Sequence, residues 1–366
     1  MARRLETLQS AMRASSIDVL AVVPGANMRY LAGLEIHMNE RIAVAFFPAA
    51  GTPAMVLPTL ETPRAKAQAR FPMTFYSWDD ADGPADALSR CVAELGLDGQ
   101  RIGVEYTAMR VLELRAIEAA APGAQAVDAT PMIAELRMVK DDQELAAMRR
   151  AVAVVEAALG AAVAQIRAGM TERELATIWE REMRARGGEP SFGTIIASGP
   201  NAANPHHSNS DRAFQSGDFI IMDGGVWNDG YASDITRTIA LGQPNQQARA
   251  IYELVQAANA AGRMYARPEA TGDEIDQAAR KVIADGGFGQ YFIHRTGHGL
   301  GLEIHEPPYI VAGSREPLAP GTTFTIEPGV YVEGVCGVRI EDDVVITAEG
   351  AASLTSFERN LIIVKE

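Results

Sequence analysis

The spacing of hydrophobic residues divides the chain into a mixed N-terminal part and a longer C-terminal part. In the N-terminal part, Leu5, Leu8 and Met12 recur at helical spacing. Strands are predicted at 17–23, 42–47, 54–57 and 101–106, and helices at 61–70, 84–95 and 108–120. Alternating strands and helices over about 125 residues predict a self-contained α/β domain, which we expect to cover residues 1–130.

The C-terminal part, residues 131–366, contains three helix starts with capping-box spacing. The first, Asp141 with Glu144, opens a long helix to about residue 166. The other two are Thr171 with Glu174 and Thr271 with Glu274, and their helices stop at the double glycines 187–188 and 286–287. Each of these last two helices is followed by a double glycine, a strand, a histidine and an acidic hairpin. The repeated order predicts two similar halves that face each other around a shared site.

The first acidic hairpin lies within residues 219–238, where two β-prone runs flank an Asn-Asp-Gly turn. If Asn228 and Asp229 form the two-residue loop, Asp223 and Asp234 face each other. A loop at Asp229 and Gly230 makes the pair diagonal instead. Opposed like charges repel, so two carboxylates at the buried end of an apolar strand need a proton or a cation between them.

The second acidic hairpin has the same layout. Glu327 and Glu341 are symmetric about Gly334, and the glycine-flanked His298 lies between the two hairpins in the sequence. Carboxylate and imidazole groups suit divalent cations that accept both oxygen and nitrogen ligands. The alternative is four solvated turn acids and a hydrogen-bonded core histidine. Two symmetric acid pairs beside one histidine favour the metal site.

Composition narrows the class of protein. Of 366 residues, 47% are hydrophobic and 22% charged, as in ordinary globular proteins, and the net charge is −14. An acidic surface argues against binding a nucleic-acid backbone. Cys91 and Cys336 have neither disulfide nor metal-ligand spacing, which indicates a reducing cytoplasm. The start of the chain does not resemble a signal peptide, and no apolar run would span a bilayer.

Five of the six histidines lie between residues 206 and 305. His206 and His207 follow a loop of turn formers, and His305 ends a short apolar run. Imidazoles near a metal site can hydrogen-bond a developing oxyanion or move a proton, whereas a loop histidine is usually only solvated. Clustering with the acids favours a functional role for His206 and His305. The glycines around His298 lack the lysine of a P-loop, so we give a nucleotide site little weight.

Several motifs together resemble one family. Residues 195–201, Met-Asp-Gly-Gly, Ser-Asp-Ile-Thr-Arg-Thr, Gly-His-Gly-Leu-Gly, Ile-Glu-Pro-Gly and Val-Arg-Ile-Glu-Asp are similar to the creatinase/aminopeptidase P/prolidase family of metallopeptidases. Residues 27–33 look like part of its N-terminal domain. The resemblance implies a C-terminal pita-bread catalytic domain with pseudo-twofold halves and a smaller creatinase-like α/β domain.

The resemblance also implies roles for individual residues. It implies a centre of two divalent metal ions, most often manganese and otherwise cobalt, zinc or iron, whose five ligands are Asp223, Asp234, His298, Glu327 and Glu341. His206, His294 and Arg339 match substrate-side residues, and His305 matches a further active-site histidine. Relatives are commonly homodimers in which an N-terminal loop approaches the partner's site, and His37 is a candidate for that loop.

The implied activity is metal-dependent hydrolysis of an Xaa-Pro peptide bond. A hydroxide bridging the metals would attack the carbonyl, His305 would hold the oxyanion, and Glu327 would relay the proton. Alternatives are a hydrolase or lyase acting on a non-peptide small molecule, and a module without activity that binds peptides or proteins. The sequence leaves dipeptidase and aminopeptidase open. Arg315 is a loosely aligned candidate for binding the free carboxylate of a dipeptide.

Overall fold

The structure is a computed structural model that describes the backbone of residues 2–365 and the side chains of residues 4–365. Its contacts divide the chain into two compact units, between Arg137 and Met138. The expected domain limits at residues 130 and 131 stay a prediction. The segment around them forms a helix, Thr130–Met138, rather than an extended linker.

The N-terminal unit is a six-stranded mixed sheet with helices. In chain order its elements are α1 Ala2–Ala14, β1 Val19–Val22, α2 Ala26–Ala32, β2 Val44–Pro48, β3 Ala54–Pro58, α3 Thr62–Gln68, β4 Thr74–Trp78, α4 Ala85–Leu95, β5 Arg101–Val104, α5 Val111–Ala120, β6 Gln125–Asp128 and α6 Thr130–Met138. The strand order is β4-β3-β2-β1-β5-β6. The hydrophobic pattern did not predict β4 and β6, because edge strands bury fewer apolar residues.

The C-terminal unit consists of two halves with the same order of elements. The first half contains α7 Asp142–Val163, α8 Glu172–Ala185, β7 Glu189–Pro190, β8 Ile195–Ser198, β9 Phe219–Gly224, β10 Val226–Asn228, β11 Tyr231–Ala232 and β12 Ile235–Leu241. The second contains α9 Gln246–Tyr265, α10 Gly272–Asp285, β13 Gly297–Gly299, β14 Glu306–Ile310, β15 Thr323–Ile326, β16 Gly329–Val332, β17 Cys336–Arg339 and β18 Asp342–Ile346, followed by β19 Ala351–Ser353 and β20 Ile363–Val364.

Both halves have two helices followed by six strands, which confirms the predicted order, but the first two strands of each half pair differently: β7 pairs with β10, whereas β14 pairs with β13. The predicted capping boxes of α7, α8 and α10 are all formed. One sheet has the order β20-β12-β9-β8 and is antiparallel except for the parallel pairing of β12 with the C-terminal strand β20. The other sheet has the order β14-β13-β15-β18-β19 and is antiparallel. The core of the first half surrounds the fully buried Trp179 on α8.

The first acidic hairpin has a different register from the one that places Asp223 and Asp234 face to face. Its two-residue loop is Asp229 and Gly230, and Asp223 pairs with Thr236. The two loop residues have φ of 48° and 79°. A tight hairpin loop needs positive φ at both positions, and glycine tolerates the second best. Of the two registers that the sequence left open, the structure therefore has the one with the loop at Asp229 and Gly230, and the two aspartates are diagonal neighbours on one face.

The second acidic hairpin has the predicted register. Gly329 pairs with Arg339 on one side of the acidic pair, and Ile326 pairs with Asp342 on the other. Glu327 and Glu341 lie between these pairs and are opposed, as their symmetry about Gly334 predicted.

A buried charge cluster fixes β18, the strand that follows Glu341. Asp342 is fully buried and accepts hydrogen bonds from Arg237 Nη2 at 2.9 Å, Arg359 Nε at 2.8 Å and Asn259 Nδ2 at 3.0 Å. Burial alone would raise the pKa of Asp342, but these arginines lower it to about 2. The cluster joins β12, α9, β18 and the C-terminal segment.

None of the helices in the described part of the chain combines the length and hydrophobicity needed to cross a bilayer.

Replacing Asp342 tests this cluster. The change Asp342→Asn leaves the buried Arg237 without its anion, so we expect the free energy of unfolding to fall by about 3–5 kcal/mol. Asp285→Asn is the control, because Asp285 forms an exposed pair with Lys281 and should contribute less than ~0.5 kcal/mol. Urea denaturation followed by circular dichroism measures both. Equal losses in the two variants would contradict the role of the cluster.

Candidate metal centre

Strand ends bring the four candidate acidic ligands together. Asp223 is the second-last residue of β9, Asp234 directly precedes β12, Glu327 directly follows β15, and Glu341 directly precedes β18. His298 is the middle residue of β13. All nine predicted site residues line one cavity of about 590 Å³: His206, Asp223, Asp234, His294, His298, His305, Glu327, Arg339 and Glu341. The structure therefore collects residues that are up to 135 positions apart in the chain.

Three of these residues form a tight group. One ligand atom each of Asp234, His298 and Glu341 lie within 4.8 Å of one another. The Nε2 atom of His298 is also 3.6 Å from Glu327 Oε1 and 3.8 Å from Asp234 Oδ2. Asp223 lies outside this group, where it forms an ion pair with Arg339.

The imidazole of His298 is oriented as a metal ligand. Its Nδ1 lies 3.1 Å from the carbonyl oxygen of Gly299, to which it can only donate. Burial lowers the pKa of His298 to about 3, so the ring is neutral and Nε2 carries a lone pair. That lone pair faces the carboxylates of Asp234 and Glu327, and acceptors facing acceptors repel unless a cation lies between them.

Asp234, Glu327 and Glu341 are also buried without enough positive charge around them to balance their ionised forms. Burial, followed by the charges of Glu341 and Asp223, raises the pKa of Asp234 well above its usual value. Burial and the charges of Glu327 and Asp223 do the same to Glu341, and burial raises the pKa of Glu327 to about 8. Asp234 Oδ1 is buried with no hydrogen-bond partner in the described chain. Oxygen and imidazole donors with this unmet demand for positive charge fit divalent metal ions.

A network of hydrogen bonds orients the carboxylate of Asp223. Arg339 donates from Nη2 to Asp223 at 2.6 Å and from Nη1 to the hydroxyl of Tyr331 at 2.8 Å. The same hydroxyl lies 2.9 Å from His294 Nε2. Burial lowers the pKa of His294 to about 4, so this histidine is neutral. Sequence reasoning missed Tyr331, because its position in a β-prone run after Ile-Glu-Pro-Gly is typical of an ordinary strand residue.

The remaining histidines differ in position. His305 stacks edge-on against His298 with ring centroids 4.1 Å apart, and burial lowers its pKa. His206 lines the cavity, whereas His207 is bound at Nε2 to Glu172 at 2.7 Å and is not among the lining residues.

Two further residues considered from the sequence lie elsewhere or stay open. Arg315 is exposed and does not line the cavity. The role suggested for His37 stays a prediction.

Glu172 is a second residue that sequence reasoning missed. This fully buried carboxylate accepts hydrogen bonds from Ser198, Asn201, His207 and Ser210. The bonds hold both ends of the loop that carries His206. Burial opposes ionisation, but the hydrogen bonds lower the pKa of Glu172 to about 2. An acid in the first turn of a helix is typical of helix starts, so no local signal marks Glu172 as a buried residue.

These geometric features describe a metal-dependent hydrolytic site, and comparisons with known proteins agree. Residues 146–348 match the model of metallopeptidase family M24, and residues 4–139 match the creatinase/prolidase N-terminal domain. The chain belongs to this metallopeptidase family, which confirms the predicted resemblance, the pita-bread catalytic fold and the requirement for divalent metal ions.

Individual relatives cover nearly the whole chain. A probable dipeptidase PepE from Mycobacterium tuberculosis is 38% identical over 99% of this chain and 96% of its own length. An Xaa-Pro dipeptidase from Pyrococcus furiosus is 36% identical over 99% of this chain and 100% of its own. The crystal structure of a dipeptidase from Pyrococcus horikoshii superposes with a TM-score of 0.93, at 40% identity over 99% of this chain and 100% of its own.

The metal site predicts how added cations change stability. Manganese at about 100 times its dissociation constant should add ~2.7 kcal/mol to the free energy of unfolding and raise Tm. In Glu341→Gln this increase should largely disappear, while the metal-free protein should be at least as stable as wild type, because one buried repulsive charge is gone. Glu349→Gln, at an exposed loop acid, is the control and should behave as wild type. A full metal response in Glu341→Gln, measured by calorimetry, would rule out Glu341 as a ligand.

Glu172 predicts a separate dependence of stability on pH. Its folded pKa of about 2 is below the usual 4.5, so its stabilising effect is complete above pH 4.5 and lost as pH falls toward 2. Glu172→Gln should lower the free energy of unfolding at pH 7 by roughly 1–3 kcal/mol, and the difference from wild type should shrink by pH 3. Glu180→Gln on the same helix is the control, with a change below ~0.5 kcal/mol. A difference from wild type that does not depend on pH would contradict this assignment.

Proposed function

We propose that the protein hydrolyses the peptide bond preceding proline, in dipeptides or at the N-terminus of peptides. The observation that carries the proposal is the neutral His298, whose Nε2 lone pair faces two buried carboxylates. The names of its relatives support the choice of substrate, because the Pyrococcus furiosus protein is called an Xaa-Pro dipeptidase.

We propose that the protein binds two divalent cations, which we assign as manganese, through Asp223, Asp234, His298, Glu327 and Glu341. Manganese suits a set of four carboxylates and one imidazole, and cobalt, zinc or iron are compatible with the same donors. When bound, such ions make a water molecule more acidic and polarise the peptide carbonyl. The unmet demand for positive charge around Asp234 and Glu341 supports two cations rather than one.

The side chains around the ligands would perform the remaining steps. Glu327 lines the cavity and is placed to accept a proton from water and pass it to the departing proline nitrogen. His305 stacks against His298 and is placed to donate a hydrogen bond to the oxyanion. His206 and His294 lie on the substrate side. Arg339 orients Asp223.

The apolar wall of the cavity suits a proline ring. Phe192, Ile195, Pro205 and Ile304 line the cavity together with the polar residues. A proline nitrogen in a peptide bond carries no hydrogen, so this residue needs apolar contact rather than a backbone hydrogen-bond acceptor. We further propose a cytoplasmic homodimer. The buried and unpaired Cys91 and Cys336 support a reducing compartment, and light scattering would measure the assembly.

Activity measurements test the proposal. Chelated protein should be inactive toward Ala-Pro and regain activity with manganese, and Ala-Ala should be a much poorer substrate. Asp234→Asn should lower kcat by at least ~10³-fold with an unchanged circular dichroism spectrum. Asp229→Asn, at the exposed loop of the same hairpin, is the matched control and should retain activity. Full turnover by Asp234→Asn, or equal cleavage of Ala-Pro and Ala-Ala, would overturn the proposal.

A further inference from the structure

A nearly completely buried ion pair, Lys140 with Glu306, has no part in the proposed chemistry. Lys140 Nζ donates to Glu306 Oε1 at 2.7 Å, and the two side chains are only 2% and 3% exposed. The partners are 166 positions apart in the chain, and neither is among the residues that line the cavity. Taking two charges out of water costs free energy, and an apolar pair of similar size is often as stable. The pair is therefore a candidate for a role in geometry rather than in stability.

The backbone of Gly301 packs directly against this ion pair. A Cβ atom at Gly301 would lie 2.9 Å from Lys140 Cε and 3.0 Å from Glu306 Oε1. Only a residue without a side chain lets the backbone come this close. Gly301 belongs to the same glycine-rich segment as His298, the proposed metal ligand. The ion pair is thus in contact with the segment that carries this ligand.

Lys140 is held in place by backbone contacts on both sides. Its N–H donates to the carbonyl oxygen of Gly321 at 2.9 Å, and Val139 forms an antiparallel bridge with Thr322, just before β15. The N-cap of α7 directly follows the lysine. A lysine side chain is usually mobile, but this one is fixed at its base and at its charged end. It therefore provides a fixed point for the segment that carries Glu306.

Glu306 lies where β13 and β14 lose their regular register. His298 pairs with Tyr309, but Gly299, the next residue of β13, pairs with Glu306. The two prolines of β14 between these pairs are left over as a bulge, and neither has an N–H that could join the ladder. A bulge bends its strand and redirects side chains, so the ladder alone holds this end of β14 poorly. The bond from Lys140 supplies a second anchor at this point.

His305 is the residue directly beyond this anchor. Its ring lines the cavity and lies edge-on to His298, with ring centroids 4.1 Å apart. The side chain is exposed, and it forms no hydrogen bond within residues 4–365. A ring without hydrogen bonds takes its position from the backbone that carries it. Here that backbone is fixed by the side chain of Glu306.

We propose that the Lys140–Glu306 pair positions His305, by fixing the end of β14 so that the imidazole faces the substrate carbonyl. This inference rests on the proposed Xaa-Pro hydrolysis and deepens it, because it says what holds the donor to the oxyanion. Both members of the pair are positioning residues, since they act on the reacting groups only through His305. A displacement of about 1 Å at a reacting group can cost ~10²-fold in rate.

Removing the lysine tests the proposal. In Lys140→Met with saturating manganese, kcat for Ala-Pro should fall roughly 10- to 100-fold, while KM changes less than about 3-fold, because the placement of an oxyanion donor is lost. Leu159→Ala is the control for lost stability. It truncates a fully buried side chain of α7, so it should lower Tm and keep the wild-type kcat. An unchanged kcat in Lys140→Met, or equal losses of kcat in both variants, would overturn the proposal.

A double substitution separates positioning from stability. Lys140→Met combined with Glu306→Leu removes both charges, and the apolar pair should bring Tm back close to that of wild type. The kcat should nevertheless stay at least ~10-fold below wild type, because an apolar contact has no preferred direction and does not fix the end of the strand. If Tm and kcat recover together, the pair contributes only stability.

A double-mutant cycle tests whether the pair acts through His305. Adding Lys140→Met to His305→Ala should leave kcat within about 2-fold of His305→Ala alone, because no ring remains to be misplaced. Losses that multiply in the combined variant would show that Lys140 acts by another route.

Imidazole spectra distinguish failure of this inference from failure of the proposed function. In 1H–15N spectra recorded with zinc, a d¹⁰ ion without unpaired electrons, the ring signals of His305 should shift in Lys140→Met. Those of His37, in the N-terminal unit, should not. The measurement requires no turnover. Shifted His305 signals in a protein that does not cleave Ala-Pro would refute only the proposed function, whereas unchanged His305 signals would refute the positioning role.

Discussion

Repulsion among buried anions is the constraint on which the catalytic unit depends. Asp234, Glu327 and Glu341 project into one cavity with a neutral histidine, and removal from water makes each charge harder to hold. Proximity then adds to the cost, since each carboxylate raises the pKa of its neighbours. Strand pairing nevertheless holds them together. Such an arrangement is stable in its charged form only with cations among the carboxylates, which is why the site identifies the class of enzyme.

The same unit contains buried acids whose charge is fully balanced by the protein. Asp342, next to Glu341 in the chain, is surrounded by Arg237, Arg359 and Asn259, and its pKa is low. Glu172 is held by hydrogen bonds on both oxygens. Burial is therefore not the feature that distinguishes ligands from structural acids. What distinguishes them is whether the surrounding residues already supply the positive charge or the hydrogen bonds that ionisation requires.

The two arginines of the cavity also differ in whether the protein itself supplies the group that balances their charge. Arg339 is used within the protein, where it orients Asp223 and joins it through Tyr331 to His294. Arg295 has its flat face against Tyr309 and its N–H edge without a protein anion in the described chain. One arginine thus stabilises the architecture of the metal centre. The other contributes to the cavity a cation that is not paired with a protein anion in the described chain.

The sequence by itself determined the helix starts, the repeated order of elements and the symmetry of Glu327 and Glu341 about Gly334, because these depend on local spacing and turn chemistry. It left open which pair of residues turns the first hairpin, and backbone φ preferences at Asp229 and Gly230 settled that in favour of a diagonal pair. Only the tertiary structure decided which neighbour each polar group meets. Tyr331 and Glu172 gained their significance from residues distant in the chain, and no local pattern encodes whether a buried charge finds its counterion.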